Sequence, residues 1–151
     1  MKLRHEEDIA APRDVTFAAF SDLDGLMAKL APRGVELSRD DHPAPPASGS
    51  LWRTSIDFHG LVRSVEIRLQ DLSPPRGYTL AGMSKELSAA LAVSFEALGA
   101  ARTRMALEIT IRPRAISGHM LMPPLHMLRP KFEARLATHL GAWAREIEAQ
   151  A

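Results

Sequence analysis

Most of the chain alternates apolar and polar residues with a period of two, which is typical of half-buried β-strands. The clearest alternation runs from Thr103 to Ile111 and ends before Pro113. Turn-forming residues, such as His59-Gly60 and residues 73–77, separate the segments, so consecutive strands should pair antiparallel through short connections. The predicted strands are Lys2–Ile9, Val35–Arg39, Trp52–Phe58, Val65–Leu69, Tyr78–Met83, Leu87–Phe95 and Thr103–Ile111.

Three other segments repeat their apolar residues at the helical spacing of three or four. Val15–Phe20 and Asp22–Leu30 are predicted as two short helices, the first of them starting after Pro12. A third helix of about 20 residues or more is predicted in the last stretch, Pro123–Ala149, where Pro130 suits the first turn; 20 helical residues span roughly 30 Å. Its apolar stripe should be buried, and it comprises Leu125, Leu128, Phe132, Leu136, Leu140, Trp143 and Ile147.

These elements predict an α+β fold in which a sheet wraps around a helix. A curved antiparallel sheet of six to seven strands surrounds a long C-terminal helix, and two short helices follow the first strand. Each strand offers one apolar face, and the long helix is the element with enough apolar surface to cover it. The 151 residues suffice for one domain, predicted to span residues 1–151.

Composition and charge narrow the class of protein. The chain has 19 Lys and Arg against 18 Asp and Glu, so no bulk field attracts nucleic acid, and no nucleic-acid partner is expected. The absence of cysteine excludes disulfides and thiolate metal sites, and it fits the reducing cytoplasm where we expect the protein. No stretch reaches the roughly 18 apolar residues of a transmembrane helix, and the charged N-terminus has no signal-peptide pattern.

Several pieces of the chain resemble the START-like (SRPBCC) superfamily, in its polyketide cyclase/dehydrase and lipid-transport branch. These pieces are spread over essentially the whole chain: Ile9–Pro12, Gly49–Arg53, Leu72–Pro75, Gly99–Arg104 and Leu140–Glu148. The resemblance implies the α+β helix-grip fold, with a cavity between sheet and helix that binds hydrophobic small molecules in many members and performs chemistry in some. The superfamily has no universal catalytic residues, so the resemblance assigns none here.

Strand parity predicts which side chains would line such a cavity. Most are aliphatic, because aromatic residues make up only 5% of the chain. Polar orientation of a ligand would depend on Thr54, Arg63 and Tyr78, although Arg63 also suits an exposed position beside the hairpin. The predicted ligand-binding residues are Trp52, Thr54, Ile56, Phe58, Arg63, Ile67, Tyr78, Leu80, Val93, Met105, Leu107, Ile109, Phe132 and Leu136.

The sequence leaves three classes of function open: a binding module for a hydrophobic small molecule, a cyclase- or dehydratase-like enzyme, and a protein-interaction domain. An enzyme would use His5, Glu7 or Tyr78 as general acid or base. His5 and Glu7 share a strand face with Leu3 and Ile9, but they could equally pair locally near the sheet edge. The chain is expected to be a monomer or a homodimer.

The histidines and methionines near the C-terminal helix carry no clear motif. His119, His126 and His139 lack the spacing of metal ligands, so neither a metal nor another cofactor is expected. Four methionines suit either an adaptable ligand-contacting surface or ordinary core packing: Met105, Met120, Met122 and Met127. The segment Gly118–Pro124 is predicted as a loop, and a ligand should enter near this loop and the two short helices.

Overall fold

The computed structural model describes residues 1–30, 37–40, 44–58 and 61–151. Within these ranges, seven strands form one antiparallel sheet, and three helices pack around it. In chain order the elements are β1 (Lys2–Ile9), α1 (Arg13–Phe20), α2 (Leu23–Leu30), β2 (Ser38–Arg39), β3 (Leu51–Phe58), β4 (Leu61–Ser73), β5 (Gly77–Met83), β6 (Leu87–Gly99), β7 (Arg102–Pro113) and α3 (Ile116–Gln150).

The strand order is β1-β7-β6-β5-β4-β3-β2, so the first strand lies beside the last and β2 forms the opposite edge. The register shifts once in β4, between Leu69 and Asp71, and once in β6, between Ala97 and Gly99. Such bulges bend and twist a strand, which contributes to the curvature of the sheet around the helices. The predicted α+β helix-grip architecture is confirmed.

One face of the sheet, hereafter the inner face, carries the apolar side chains of the alternating pattern. The register aligns Leu3, Ile109, Leu91, Leu80 and Leu69 in one row from β1 to β4. The short helices complete the core. The buried members of this core are Ile9, Ala11, Phe17, Phe20, Leu23, Met27, Trp52, Leu69, Tyr78, Leu80, Val93, Phe95, Met105, Leu140, Ala144 and Ile147.

Aromatic contacts hold α1 against β6 and the last part of α3. The ring of Phe17 lies edge-on to Phe95 at a centroid distance of 5.5 Å. Phe20 packs on Phe95 at 5.9 Å and on Trp143 at 4.5 Å. Aromatic pairs in such tilted and edge-on arrangements stabilise beyond their buried area. Helix α1 therefore covers the part of the sheet at which Phe95 lies.

Helix α3 has 35 residues and a length of about 52 Å, and it starts earlier than the predicted first turn at Pro130. Residues Gly118–Pro124, predicted as a loop, belong to its first turns, and Pro130 lies inside the helix. Proline removes a helical hydrogen bond, but its fixed φ is compatible with the helical backbone. Gly118 is buried against the backbone of Glu86, so a tertiary contact fixes the helix start. Among the described residues, no helix is both long and apolar enough to cross a membrane.

The apolar stripe of α3 faces the sheet as predicted, but its burial is uneven. Leu125, Leu140 and Ile147 are buried, whereas Phe132 and Trp143 remain half-buried. The prediction of complete burial for these two aromatic residues is therefore wrong. Helical periodicity specifies the direction of a side chain, but the depth of its burial depends on the distance to the sheet.

The predicted connections agree with the structure where it describes them. The turn at residues 73–77 is closed by a hydrogen bond from Arg76 N–H to the Ser73 carbonyl, at 2.7 Å. Of the strand predicted at Val35–Arg39, the described part pairs with β3 over Ser38–Arg39. Val35 and the predicted His59-Gly60 turn lie outside the described residues.

Candidate functional site

The structure divides the predicted ligand-binding residues into two groups on the inner face. The first is packed into the core, with at most 5% of each side chain exposed, and consists of Trp52, Tyr78, Leu80, Val93 and Met105. The second is half-buried and consists of Thr54, Arg63, Ile67, Leu107 and Ile109 on the sheet and of Phe132 and Leu136 on the apolar stripe of α3. Ile56 and Phe58 lie in β3, but their side chains are outside the described part.

The apolar members of the second group, Ile67, Leu107, Ile109, Phe132 and Leu136, are named the open half. They have the inward direction of core residues, yet their burial is incomplete. Two inner-face neighbours in the sheet, Gly82 and Leu91, are half-buried as well. Accessible apolar surface within a folded domain favours contact with an apolar ligand or partner.

A buried ion pair lies at the border of this region. Arg63 of β4 contacts Glu86 through its Nε, which is 3.0 Å from the Glu86 Oε1. The Arg63 side chain is 35% exposed, whereas that of Glu86 is 5% exposed. The Glu86 carbonyl accepts a hydrogen bond from Arg114 N–H at 2.8 Å. A Cβ added at Gly118 would overlap that same carbonyl, so Glu86 joins β4 to the start of α3.

The sequence analysis missed Glu86. It follows Ser84 and Lys85 in the connection between β5 and β6, where neither strand parity nor helical spacing predicts burial. Lys85 is exposed and Glu86 is buried, although the two residues are neighbours in the chain. Nothing in the sequence indicates which of the two side chains points into the fold. Only the fold brings the Glu86 carboxylate to the side chain of Arg63.

Two polar atoms near this ion pair are buried and lack a hydrogen-bond partner among the described residues. They are Oε2 of Glu86 and Oγ1 of Thr54. Thr54 pairs with Val65, whereas Ile56 pairs with Arg63, so Thr54 and Arg63 are diagonal neighbours on the inner face. Most buried polar atoms in proteins are hydrogen-bonded. The two unpaired atoms therefore mark this border as the polar part of the candidate site.

His5 and Glu7 face inward, as the parity of β1 predicted, but they bond to each other. His5 Nε2 lies 2.8 Å from Glu7 Oε1, and Glu7 Oε2 lies 3.5 Å from a guanidinium nitrogen of Arg145 in α3. Their strand, β1, is separated from β4 by β7, β6 and β5, which is a distance of about 19 Å along the sheet. The structure thus places them in a β1–α3 contact, separate from Arg63 and Glu86.

Tyr78 occupies a third, separate position in the packed core. Its hydroxyl donates a hydrogen bond to the backbone carbonyl of Phe20, at 2.7 Å. Burial raises the pKa of Tyr78 well above its ordinary value. The hydroxyl therefore remains protonated at neutral pH and joins α1 to the sheet.

This burial predicts a loss of stability at alkaline pH. The tyrosine of the unfolded chain ionises at a pKa of about 10, before that of the folded protein. Above that pH the unfolded state binds fewer protons, so the free energy of unfolding falls as pH rises, by up to about 1.4 kcal/mol per pH unit. Tyr78 is the single tyrosine of the chain, so phenolate absorbance should appear together with unfolding.

The control for this prediction is Tyr78→Phe, which has no phenol to ionise. Its stability should fall less steeply above pH 10 than that of the unmodified chain. Phenolate absorbance that rises near the ordinary tyrosine pKa, while circular dichroism still reports a folded protein, would contradict the prediction.

The side chains singled out around the C-terminal helix lie on its outer surface. Met120 and Met127 are 73% and 83% exposed, so the prediction of core packing is wrong for these two residues, whereas Met105 is fully buried in the core. His119, His126 and His139 are also exposed. In the part of the chain that the structure describes, no three His, Asp or Glu residues are grouped closely enough to hold a metal ion.

A second depression, of about 360 Å³, lies over β2, β3 and β4 and shares Thr54 with the candidate site. It is open to solvent, and an ion pair between Arg53 and Glu66 crosses two of these strands within it. Its lining is largely polar: Ser38, Arg53, Thr54, Ser55, Ser64, Val65 and Glu66. This composition differs from that of the predicted apolar cavity, so the open half remains the candidate site.

Comparison with known proteins identifies the fold. No protein-family model matches the sequence, and no curated protein shows significant sequence similarity. Solved structures do match: the ZhuI aromatase/cyclase from Streptomyces sp. R1128 has a TM-score of 0.69 at 21% identity, over 98% of this chain and 93% of its own. A protein from Thermus thermophilus gives 0.64 at 20% identity, over 100% of this chain and 99% of its own.

Norcoclaurine synthase from Thalictrum flavum, solved with dopamine and hydroxybenzaldehyde, gives a TM-score of 0.67 at 11% identity, over 100% of this chain and 88% of its own. The chain therefore shares the fold of these structures, and this is the fold that the resemblance of its sequence pieces to the START-like (SRPBCC) superfamily implied. At these identities the likeness shows the fold, and function has to be argued from the site.

Proposed function

We propose that this protein is a binding module for a hydrophobic small molecule, lipid-like or polyketide-like, held between the sheet and α3. The observation that carries the proposal is the open half, whose apolar side chains point inward but stay half-buried. Removing apolar surface from water yields about 25 cal/mol per Å². A ligand covering about 200 Å² of such surface would thus gain roughly 5 kcal/mol before the costs of ordering.

The arrangement of titratable groups favours binding over catalysis. A general acid–base mechanism needs its groups within hydrogen-bond reach of one reacting centre. Here His5 and Glu7 lie in the β1–α3 contact, and Tyr78 bonds to Phe20 in the packed core. The same fold occurs in an aromatase/cyclase and in norcoclaurine synthase, so the fold by itself does not distinguish an enzyme from a binding module. The positions of the titratable groups are what favours a binding module.

The remaining parts of the proposal follow from composition. With nearly balanced charges and no cysteine, the protein fits a cytoplasmic carrier or sensor without a nucleic-acid partner. We propose that it acts as a monomer or a homodimer, since each chain contains the whole open half.

Filling the open half should weaken ligand binding. Gly82 lies on the inner face beside Ile67, and a Cβ there would meet Ala89 at an ordinary contact distance of 3.8 Å. Gly82→Leu therefore places a side chain in the proposed ligand volume with little clash. We expect it to weaken binding of the neutral fluorescent probe N-phenyl-1-naphthylamine by about tenfold or more, equivalent to about 1.4 kcal/mol.

The matched control is Ala92→Leu, which adds leucine to an exposed position of β6 on the opposite face of the sheet. It should bind the probe as the unmodified chain does. Equal binding by Gly82→Leu and Ala92→Leu would place the ligand elsewhere. If the unmodified chain does not bind the probe at all, a protein partner becomes the better explanation of the open half.

A further inference from the structure

The two partners of the ion pair between Arg63 and Glu86 differ in exposure. Arg63 is partly exposed beside the open half, whereas 95% of the Glu86 side chain is buried behind it, since only 5% is exposed. Burial of a carboxylate is costly unless its charge is compensated and its oxygens are hydrogen-bonded. The charge of Glu86 is compensated by Arg63, but its hydrogen bonds are incomplete.

Both unpaired atoms at this place can accept a hydrogen bond. An ionised carboxylate has two acceptor oxygens, and Arg63 uses only Oε1 of Glu86. Its Oε2 and the hydroxyl of Thr54 are buried without partners in the described residues. The oxygens that lack a partner are therefore mainly hydrogen-bond acceptors. They match a ligand group that donates a hydrogen bond.

The charge balance of the pair argues against an anionic ligand. Without Glu86, the guanidinium of Arg63 would be a ready partner for a carboxylate or phosphate. With Glu86 at 3.0 Å, the positive charge is neutralised, and an incoming anion would meet a buried negative oxygen. The pair thus disfavours anions and leaves an acceptor for neutral or cationic donors.

We infer that Glu86, held by Arg63 and assisted by Thr54, selects the polar end of the ligand, which is a hydroxyl or an amine and not a carboxylate. This inference rests on the proposed binding function and adds the chemical class of ligand to it. A purely structural role of the pair, joining the β5–β6 connection to β4 and α3, is the competing explanation.

The experiment compares ligands that share one alkyl chain and differ only at the polar end: decan-1-ol, decylamine and decanoate. Binding to the full chain is measured by displacement of N-phenyl-1-naphthylamine. The unmodified protein should bind decan-1-ol and decylamine about tenfold more tightly than decanoate.

Glu86→Gln keeps the side-chain shape but removes its charge, so Arg63 becomes available to an anion. This variant should reverse the order, with decanoate gaining about tenfold and decylamine losing as much.

The control is Glu96→Gln, an exposed position on β6, which should preserve the order of the unmodified chain. If Glu86→Gln lowers the melting temperature but leaves the ratio of affinities unchanged, the role is structural and the inference fails. Equal binding of all three ligands by the unmodified chain would also overturn it, while the proposed binding function would stand. Absence of binding by every ligand would reject both.

A second variant keeps the inference testable if Glu86→Gln does not fold. Thr54→Val preserves the shape of the side chain and removes its unpaired oxygen. It should weaken decan-1-ol binding several-fold while changing decanoate binding little. An unchanged ratio of these two affinities would exclude Thr54 from the polar site and contradict the inference.

Discussion

Truncation after Arg129 should leave a chain with no cooperative thermal transition. The removed segment contains the buried residues Leu140, Ala144 and Ile147, and also Trp143, which packs on Phe20. Each large apolar side chain contributes about 1.5–3 kcal/mol on burial, and typical domains are stable by only roughly 5–15 kcal/mol. The inner face would lose this cover and remain exposed to water. Circular dichroism during heating measures the result.

A shorter truncation provides the control for this experiment. Removal of residues 149–151 deletes only exposed positions and keeps Glu148, which accepts a hydrogen bond from Ala10 N–H at 2.9 Å. This chain should melt cooperatively near the temperature of the unmodified protein. A cooperative transition in the chain that ends at Arg129 would show that the sheet does not depend on the second half of α3.

Replacement of Trp52 by Ala should lower the free energy of unfolding by about 3–5 kcal/mol. The indole is 1% exposed, and its Nε1 donates a hydrogen bond to Asp24 in α2 at 2.9 Å. The variant would leave a cavity beneath α2 and remove the bond between that helix and β3. Chemical denaturation followed by circular dichroism gives the free energy of unfolding.

Two further variants separate packing from hydrogen bonding at this position. Trp52→Phe keeps an aromatic ring but loses the N–H donor, and it should cost less than Trp52→Ala because the Asp24 carboxylate is 43% exposed and can be hydrated. Val62→Ala, at a position 66% exposed, should change stability by about 0.5 kcal/mol or less. A loss below about 1 kcal/mol for Trp52→Ala would contradict the packed position of the indole.

The sequence by itself determined the elements, their order and the direction of most side chains. In β7 the alternation from Thr103 to Ile111 specified the inner face, and the register aligns Ile109 with Leu3 and Leu91 on it. The two short helices and the inward direction of the α3 stripe were predicted in the same way. These features depend on residues two to four positions apart, whose relative directions the backbone geometry fixes.

Only the tertiary structure decided how deeply the inward-facing residues are buried and which polar groups meet. Val93 and Ile109 have the same parity signal, yet Val93 is packed and Ile109 is half-buried. Glu86 reaches Arg63 because β4 and the β5–β6 connection are adjacent in the folded sheet. The start of α3 likewise depends on a contact between Gly118 and Glu86. Such contacts join residues far apart in the sequence, so no local period of hydrophobicity contains them.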